Sequence, residues 1–139
     1  MLIGQPGPHF GSLVAGHLAD HLAQMDKHGI AKAMLGTIGI GPGVANKQRY
    51  FYRTPTGSFA ITTPINGEPA CGANGSTIGF AMQSAEQGDA FHAAGVANGG
   101  TTCEDPPGVR EGPGGKLYLA YLRDPDGNKI CGLYRIPKA

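Results

Sequence analysis

The chain has 139 residues, a formal charge of +1, and 15% charged against 40% apolar residues. That length provides one domain with a single core, and so even a charge balance excludes an electrostatic case for nucleic acid or for a membrane surface. No apolar run approaches the ~20 residues that span a bilayer, and the opening MLIGQPGPHF has neither the charged start nor the apolar centre of a secretory signal.

Cys71, Cys103 and Cys131 are widely spaced and odd in number, so they form neither a zinc pattern nor a disulfide framework. The expectation is a reduced, cytoplasmic protein whose cysteines are small buried hydrophobes. The 24 glycines and 11 prolines predict many turns and short strands rather than a helical bundle.

Residues 1–12 read as irregular. Over 13–35, Leu13, Val14, His17, Leu18, His21, Leu22 and Met25 recur at spacings of three and four, which predicts a helix. Ser12 is its candidate N-cap, Gly29 a candidate break and Gly36 its stop. GIGPG, residues 39–43, is a loop. Arg49–Arg53 and Ser58–Thr63 read as two strands around Pro55-Thr56-Gly57. Residues 65–75 form a linker between a first half, 1–64, and a second half, 76–139.

The second half opens with a strand, Ser76–Met82. Ser84 then caps a helix that runs to about Ala97, with Ala85, Ala90, Phe91 and Ala94 on its apolar face and Asn98-Gly99-Gly100 as its stop. Thr101–Glu104 is a short strand and 105–115 a Pro/Gly loop. In the closing segment Leu117, Leu119 and Tyr121 alternate with Tyr118, Ala120 and Leu122. Asp124-Pro125-Asp126-Gly127 turns the chain, and Lys129–Arg135 returns. This hairpin puts Tyr121 and Cys131 on one face, within the tolerance of a bulge. The order is α-β-β, with at most one weak strand before or after the helix, followed by β-α-β-β-β, an α+β protein of two similar units with the first blurred.

GSTIGFAMQSAEQGDAFHAAGVANGGT (75–101) and YLAYLRDPDGNKICGLY (118–134) carry a family resemblance. The strand, serine cap, helix, Gly-Gly stop and DPDGN turn resemble the glyoxalase/bleomycin-resistance/extradiol dioxygenase superfamily, the vicinal oxygen chelate proteins. The resemblance implies two βαβββ modules whose cupped mixed sheets enclose a cavity, commonly within a dimer. It also implies, for the enzymes of the group, a divalent metal held by a first-strand His and a last-strand Glu. Here those positions fall at Thr77 and Cys131, a poor hard-metal pair. The first module departs further: HLADHLAQMDKH favours helix where the family opens with a strand.

Several residues are candidates for function. His17 and His21 stand at i, i+4, a workable two-ligand spacing for zinc, nickel, manganese or iron, but without the Glu that makes such a motif specific. Leu18, Leu22 and Met25 on the same face favour a packing or dimer surface. Tyr121, Cys131 and Thr77 are expected to line the cavity. Tyr50 and Tyr52 share one hairpin face and Arg49, Phe51 and Arg53 the other. Tyrosines turned inward imply an aromatic or apolar ligand, arginines an anionic one, and the tyrosine face is the expectation. The reading that follows is a homodimeric, metal-free protein binding a small organic molecule. Its alternatives are a metal-dependent lyase, isomerase or dioxygenase of the same superfamily, or an assembly domain without ligand.

Overall fold

The computed structural model describes residues 29–139. Residues 29–36, the end of the helix expected over 13–35 and one residue beyond it, are helical and form α1. The rest of that segment, with His17, His21, Leu18, Leu22 and Met25, lies outside the described residues. Helix α1 ends where Gly36 leads into a turn. There Thr37 Oγ1 donates to Met34 O (2.6 Å) and Ile40 N to Leu35 O (3.0 Å), which satisfies last-turn carbonyls.

Three strands follow: β1 (Val44–Asn46), β2 (Arg49–Thr54) and β3 (Gly57–Thr62), all antiparallel in the order β1-β2-β3. The short β1 is one weak strand after the helix, as the sequence allows. Its three residues are exposed, so no burial alternation marks them.

The second half is β4 (Ile78–Ala81), α2 (Ala85–Ala97), β5 (Thr101–Thr102), β6 (Gly108–Gly112), β7 (Gly115–Arg123) and β8 (Lys129–Arg135). The sheet runs β4-β8-β7-β5, with β6 also on β7; β4 is parallel to β8, and the other pairings are antiparallel. The stretch 105–115, expected as loop, therefore contains a strand. Pro113 and Gly114 turn a tight hairpin whose arms, Gly108–Gly112 and Gly115–Leu119, pair directly. Gly/Pro richness marked the turn and hid the short arm beside it.

Helix α2 begins as expected. Gln87 N donates to Ser84 Oγ (3.1 Å), and the Gln87 side chain reaches back to accept from Gln83 N (2.7 Å). It ends at Gly99 (φ 101°) and Gly100, whose amide donates to Gly95 O (2.9 Å). Its inner face approaches the sheet closely through glycines. A Cβ on Gly95 would lie 2.4 Å from Leu122 Cδ1 and 2.8 Å from Met34 Sδ, and one on Gly132 would lie 3.2 Å from Phe91. The even-numbered positions of β7, Tyr118 and Leu122 among them, thus face α2, and Tyr118 also donates its hydroxyl to Asp89 (2.6 Å).

One core joins the halves. Ile30, Ala31, Met34 and Leu35 of α1 share it with Tyr52, Ile61, Met82, Phe91, Leu122 and Ile130. A ladder of rings crosses between the sheets: Tyr52–Phe59 at 6.2 Å, Phe59–Phe80 at 5.4 Å edge-to-face and Phe80–Phe91 at 5.6 Å.

The DPDGN turn is a buried polar knot. Asp124 Oδ1 accepts from Asp126 N (3.0 Å) and Asn128 N (2.7 Å), and Oδ2 accepts from Asn128 Nδ2 (3.0 Å). Asn128 Oδ1 in turn accepts from Ala73 N (3.2 Å), which fastens the 65–75 linker to the hairpin. Burial outweighs these donors and holds the Asp124 carboxyl above the usual carboxylate range. Gly95→Ala should destabilise the fold by about 1–3 kcal/mol through overpacking against Leu122 and Met34. Urea unfolding at unchanged m-value tests this; a midpoint equal to the parent's would refute the close helix–sheet approach.

Candidate functional site

The face of the five-stranded sheet turned away from α2 carries the candidate site. Register fixes its rows, because directly paired residues point to the same side. Tyr121 pairs with Cys131, and Cys131 with Gly79 of β4. Cys103, whose amide donates to Tyr121 O (3.4 Å), continues that row on the far side. The next row inward holds Leu119, Leu133 and Ala81. At one end of the face stand Arg123 and Lys129, at the other Arg110 and Arg135 beside Leu117. The expected pairing of Tyr121 with Cys131 is thus direct, with no bulge between them.

The chemistry of the central row follows from its burial. Cys131 is 2% exposed and Tyr121 half-buried. Burial raises the Cys131 thiol above the ordinary thiol range, so the side chain is a neutral, weak hydrogen-bonding group at neutral pH; its Sγ lies 3.5 Å from Gly132 O. Burial first, and then the neighbouring Cys131, raise the Tyr121 hydroxyl too. Lys129 Nζ sits 4.6 Å from the Tyr121 ring centre and is ion-paired with Glu104. Glu104 holds a left-handed backbone (φ 59°), unusual for a residue with a side chain.

Gly79 gives this row its shape. Among the described residues no atom lies within 4 Å of where its Cβ would sit. The position beside Cys131 is therefore open, whereas Gly95 and Gly132 on the opposite face are filled by close packing.

The other expected site residues fall differently. Thr77 precedes β4 and is exposed; in the alternation it shares the side of Gly79 and Cys131, but at the end near Lys129. Tyr50 and Tyr52 do not turn toward Tyr121. Tyr52 is fully buried in the core with α1, and its partner face, Ile61 and Phe59, leads through Phe80 to the α2 side. The physical reason is coverage: α1 lies against the tyrosine side of β2 and buries Tyr52 and Ile61 with it. Arg49, Phe51 and Arg53 consequently take the side away from the core. Gly79 and Lys129 belong to the site without a motif of their own in the sequence. Stepping by two from Cys131 would have found Lys129; nothing local marks Gly79.

Among the described residues, no three of His, Cys, Asp and Glu come together. The side-chain donors at the central row, the thiols of Cys103 and Cys131 and the phenol of Tyr121, include neither the imidazole nor the carboxylate of the divalent centre that the resemblance implies. His17 and His21 lie outside the described residues.

Comparison with solved structures decides the relationship. A glyoxalase/bleomycin resistance protein from Albidiferax ferrireducens is 72% identical over 80% of this chain and 90% of its own, at a TM-score of 0.78. The chain belongs to the glyoxalase/bleomycin resistance protein family. Two distant relatives share the fold: a glyoxalase-related enzyme from Fulvimarina pelagi (15% identity, TM-score 0.61, covering 97% and 87% of the two chains), and a glyoxalase/bleomycin resistance protein/dioxygenase family enzyme from Burkholderia phytofirmans (14%, 0.60, 81% and 90%). Neither a family model nor a curated protein matches the chain. No helix among the described residues is long and apolar enough to cross a membrane.

Iodoacetamide at neutral pH should modify exposed Cys71 first and buried Cys131 only on unfolding. Because burial raises the Cys131 pKa, any slow reaction there should keep accelerating above pH ~8.5, where an unperturbed thiol begins to level off. Peptide mapping against pH measures both. Early labelling of Cys131 would contradict its burial.

Proposed function

We propose that this protein binds a small organic molecule on the open face of its five-stranded sheet, without a metal, the ligand's aromatic or apolar part lying over Tyr121 and Gly79 with buried Cys131 beneath them. The observation that carries the reading is the space beside Cys131, where Gly79 leaves the sheet surface uncovered among the described residues. A patch of the Tyr121 phenol, the bare backbone at Gly79 and half-buried Leu133 suits an apolar ring, and the Tyr121 hydroxyl adds one directional hydrogen bond. The central row lacks the donors for a catalytic metal of the family type, which favours binding over metal-assisted isomerisation or lysis.

Gly79→Val tests the site without threatening the core. A β-branched residue suits a strand, and the space around Gly79 admits it. The variant should match or exceed the parent's stability and lose ligand-induced thermal stabilisation, which for a ligand at a hundredfold over its Kd amounts to about 2.7 kcal/mol. Undiminished binding by Gly79→Val would move the site elsewhere. Tyr121→Phe should keep the fold and weaken a hydrogen-bonding ligand by about 0.5–1.5 kcal/mol, read by calorimetric titration. Elemental analysis of protein purified without chelator checks the metal-free part: stoichiometric zinc, nickel, manganese or iron lost on His17→Ala/His21→Ala would install the enzymatic alternative instead.

A further inference from the structure

The chain contains five arginines, Arg49, Arg53, Arg110, Arg123 and Arg135. Every one stands on a strand, at a position facing away from the helices. Arg49 and Arg53 take the opposite side of β2 from core residue Tyr52. Arg110 and Arg135 both pair with Leu117, and Arg123 lies in step with Leu117, Leu119 and Tyr121. Lys129 joins them as the partner of Arg123. The described strands carry one acidic residue, Glu111, and it lies on the α2 side, paired with Lys116 at 3.5 Å. In a chain of net charge +1, this sorting puts the arginines on the sides of both sheets that face away from the helices, three of them with Lys129 on the five-stranded sheet.

These cations are incompletely neutralised. Two adjoining loop residues supply the carboxylates: Glu104 pairs with Lys129, and Asp105 stands 3.9 Å from Arg110. Arg49, Arg53, Arg123 and Arg135 have no carboxylate within ion-pair distance among the described residues. Arg123 donates instead to Gly127 O (2.6 Å) and Arg53 to Ser58 Oγ (2.5 Å), neutral acceptors that hold a guanidinium in place while leaving its charge uncompensated.

Resting on the ligand-binding reading above, we propose that the ligand is a small organic anion: an apolar ring over Tyr121 and Gly79, with a carboxylate, sulfonate or phosphate held by Arg123 and Lys129 at the near end of the face. Lys129 touches the Tyr121 ring, so a bound anion and a bound ring lie side by side. Arg123 offers the planar fork that matches a two-oxygen group. Glu104 then acts as a competitor for Lys129 that an entering anion displaces. A long polyanion is a worse fit: the even net charge gives it no long-range attraction, and the cations flank an apolar patch instead of tracking a line.

The test uses two fluorescent probes of one skeleton, anionic 8-anilinonaphthalene-1-sulfonate and neutral N-phenyl-1-naphthylamine. The folded full chain should bind the sulfonate saturably, about tenfold more tightly than the neutral probe at low salt, with the preference shrinking as salt rises. Arg123→Gln and Lys129→Gln should each weaken the sulfonate by about threefold to tenfold and leave the neutral probe within about twofold, and Glu104→Gln should strengthen the sulfonate. Near-ultraviolet circular dichroism checks that each variant is folded, Lys129→Gln carries the test if Arg123→Gln is not, and exposed Arg135→Gln at the far end of the face should leave both probes unchanged. Equal affinity for both probes, or losses that do not distinguish them, overturns the anion inference and leaves the ligand site standing. Binding of neither probe, or binding unchanged by Gly79→Val, overturns both.

Discussion

The architecture depends on how closely α2 lies on its sheet. Gly95 and Gly132 leave no room for a side chain, so Phe91, Leu122 and Met34 interlock across the contact. Strand side chains alternate, so committing the even positions of β7 to the helix commits the odd ones to the other surface. The placement of Tyr121, Cys131 and the arginines is therefore a by-product of core packing. A substitution that forces α2 away from the sheet disturbs the core first and the site only through it.

The second constraint is the knot at Asp124 and Asn128. It shapes the turn that sets the β7–β8 register, and through Ala73 it anchors the linker. A one-residue slip in that register would carry Tyr121 to the helix side and Leu122 to the open one. The turn motif thus fixes chemistry at a site it does not touch. Gly72 packs against the same turn, where a Cβ would come within 2.9 Å of Asp126 O, so linker and hairpin meet as two backbones with nothing between them.

Sequence reading worked best where local rules and tertiary context agree. Ser84, Gln87 and the Gly99-Gly100 stop framed α2 correctly because capping is a local interaction. The Asp124–Gly127 turn gave the Tyr121–Cys131 pairing for the same reason. It worked less well where a choice between two faces rests on a distant partner. Both faces of β2 hold aromatic residues, Tyr50 and Tyr52 on one and Phe51 on the other, so only the position of α1 distinguishes core from open side. The open space at Gly79 was invisible for a related reason: a glycine in a strand reads the same whether its missing side chain makes room for packing, as at Gly132, or for nothing, as at Gly79. Strand β6 is hidden in the sequence because its five residues, Gly108–Gly112, show no apolar alternation long enough to register.

The parallel pairing of β4 with β8 has a consequence for how the chain assembles. The β2–β3, β6–β7 and β7–β8 hairpins join near neighbours, and each can form from local sequence alone. The β4 strand must instead cross the helix to reach β8, and the Ala73–Asn128 hydrogen bond that holds its approach spans 55 residues. Closing so long a loop carries an entropic cost that hairpins escape. The expected order of events is hairpins first, with β4 docking late against a finished β7–β8 edge. The Gly79–Cys131 neighbourhood is then the last part of the sheet to become solid and, by the same reasoning, the first to open when the native state fluctuates.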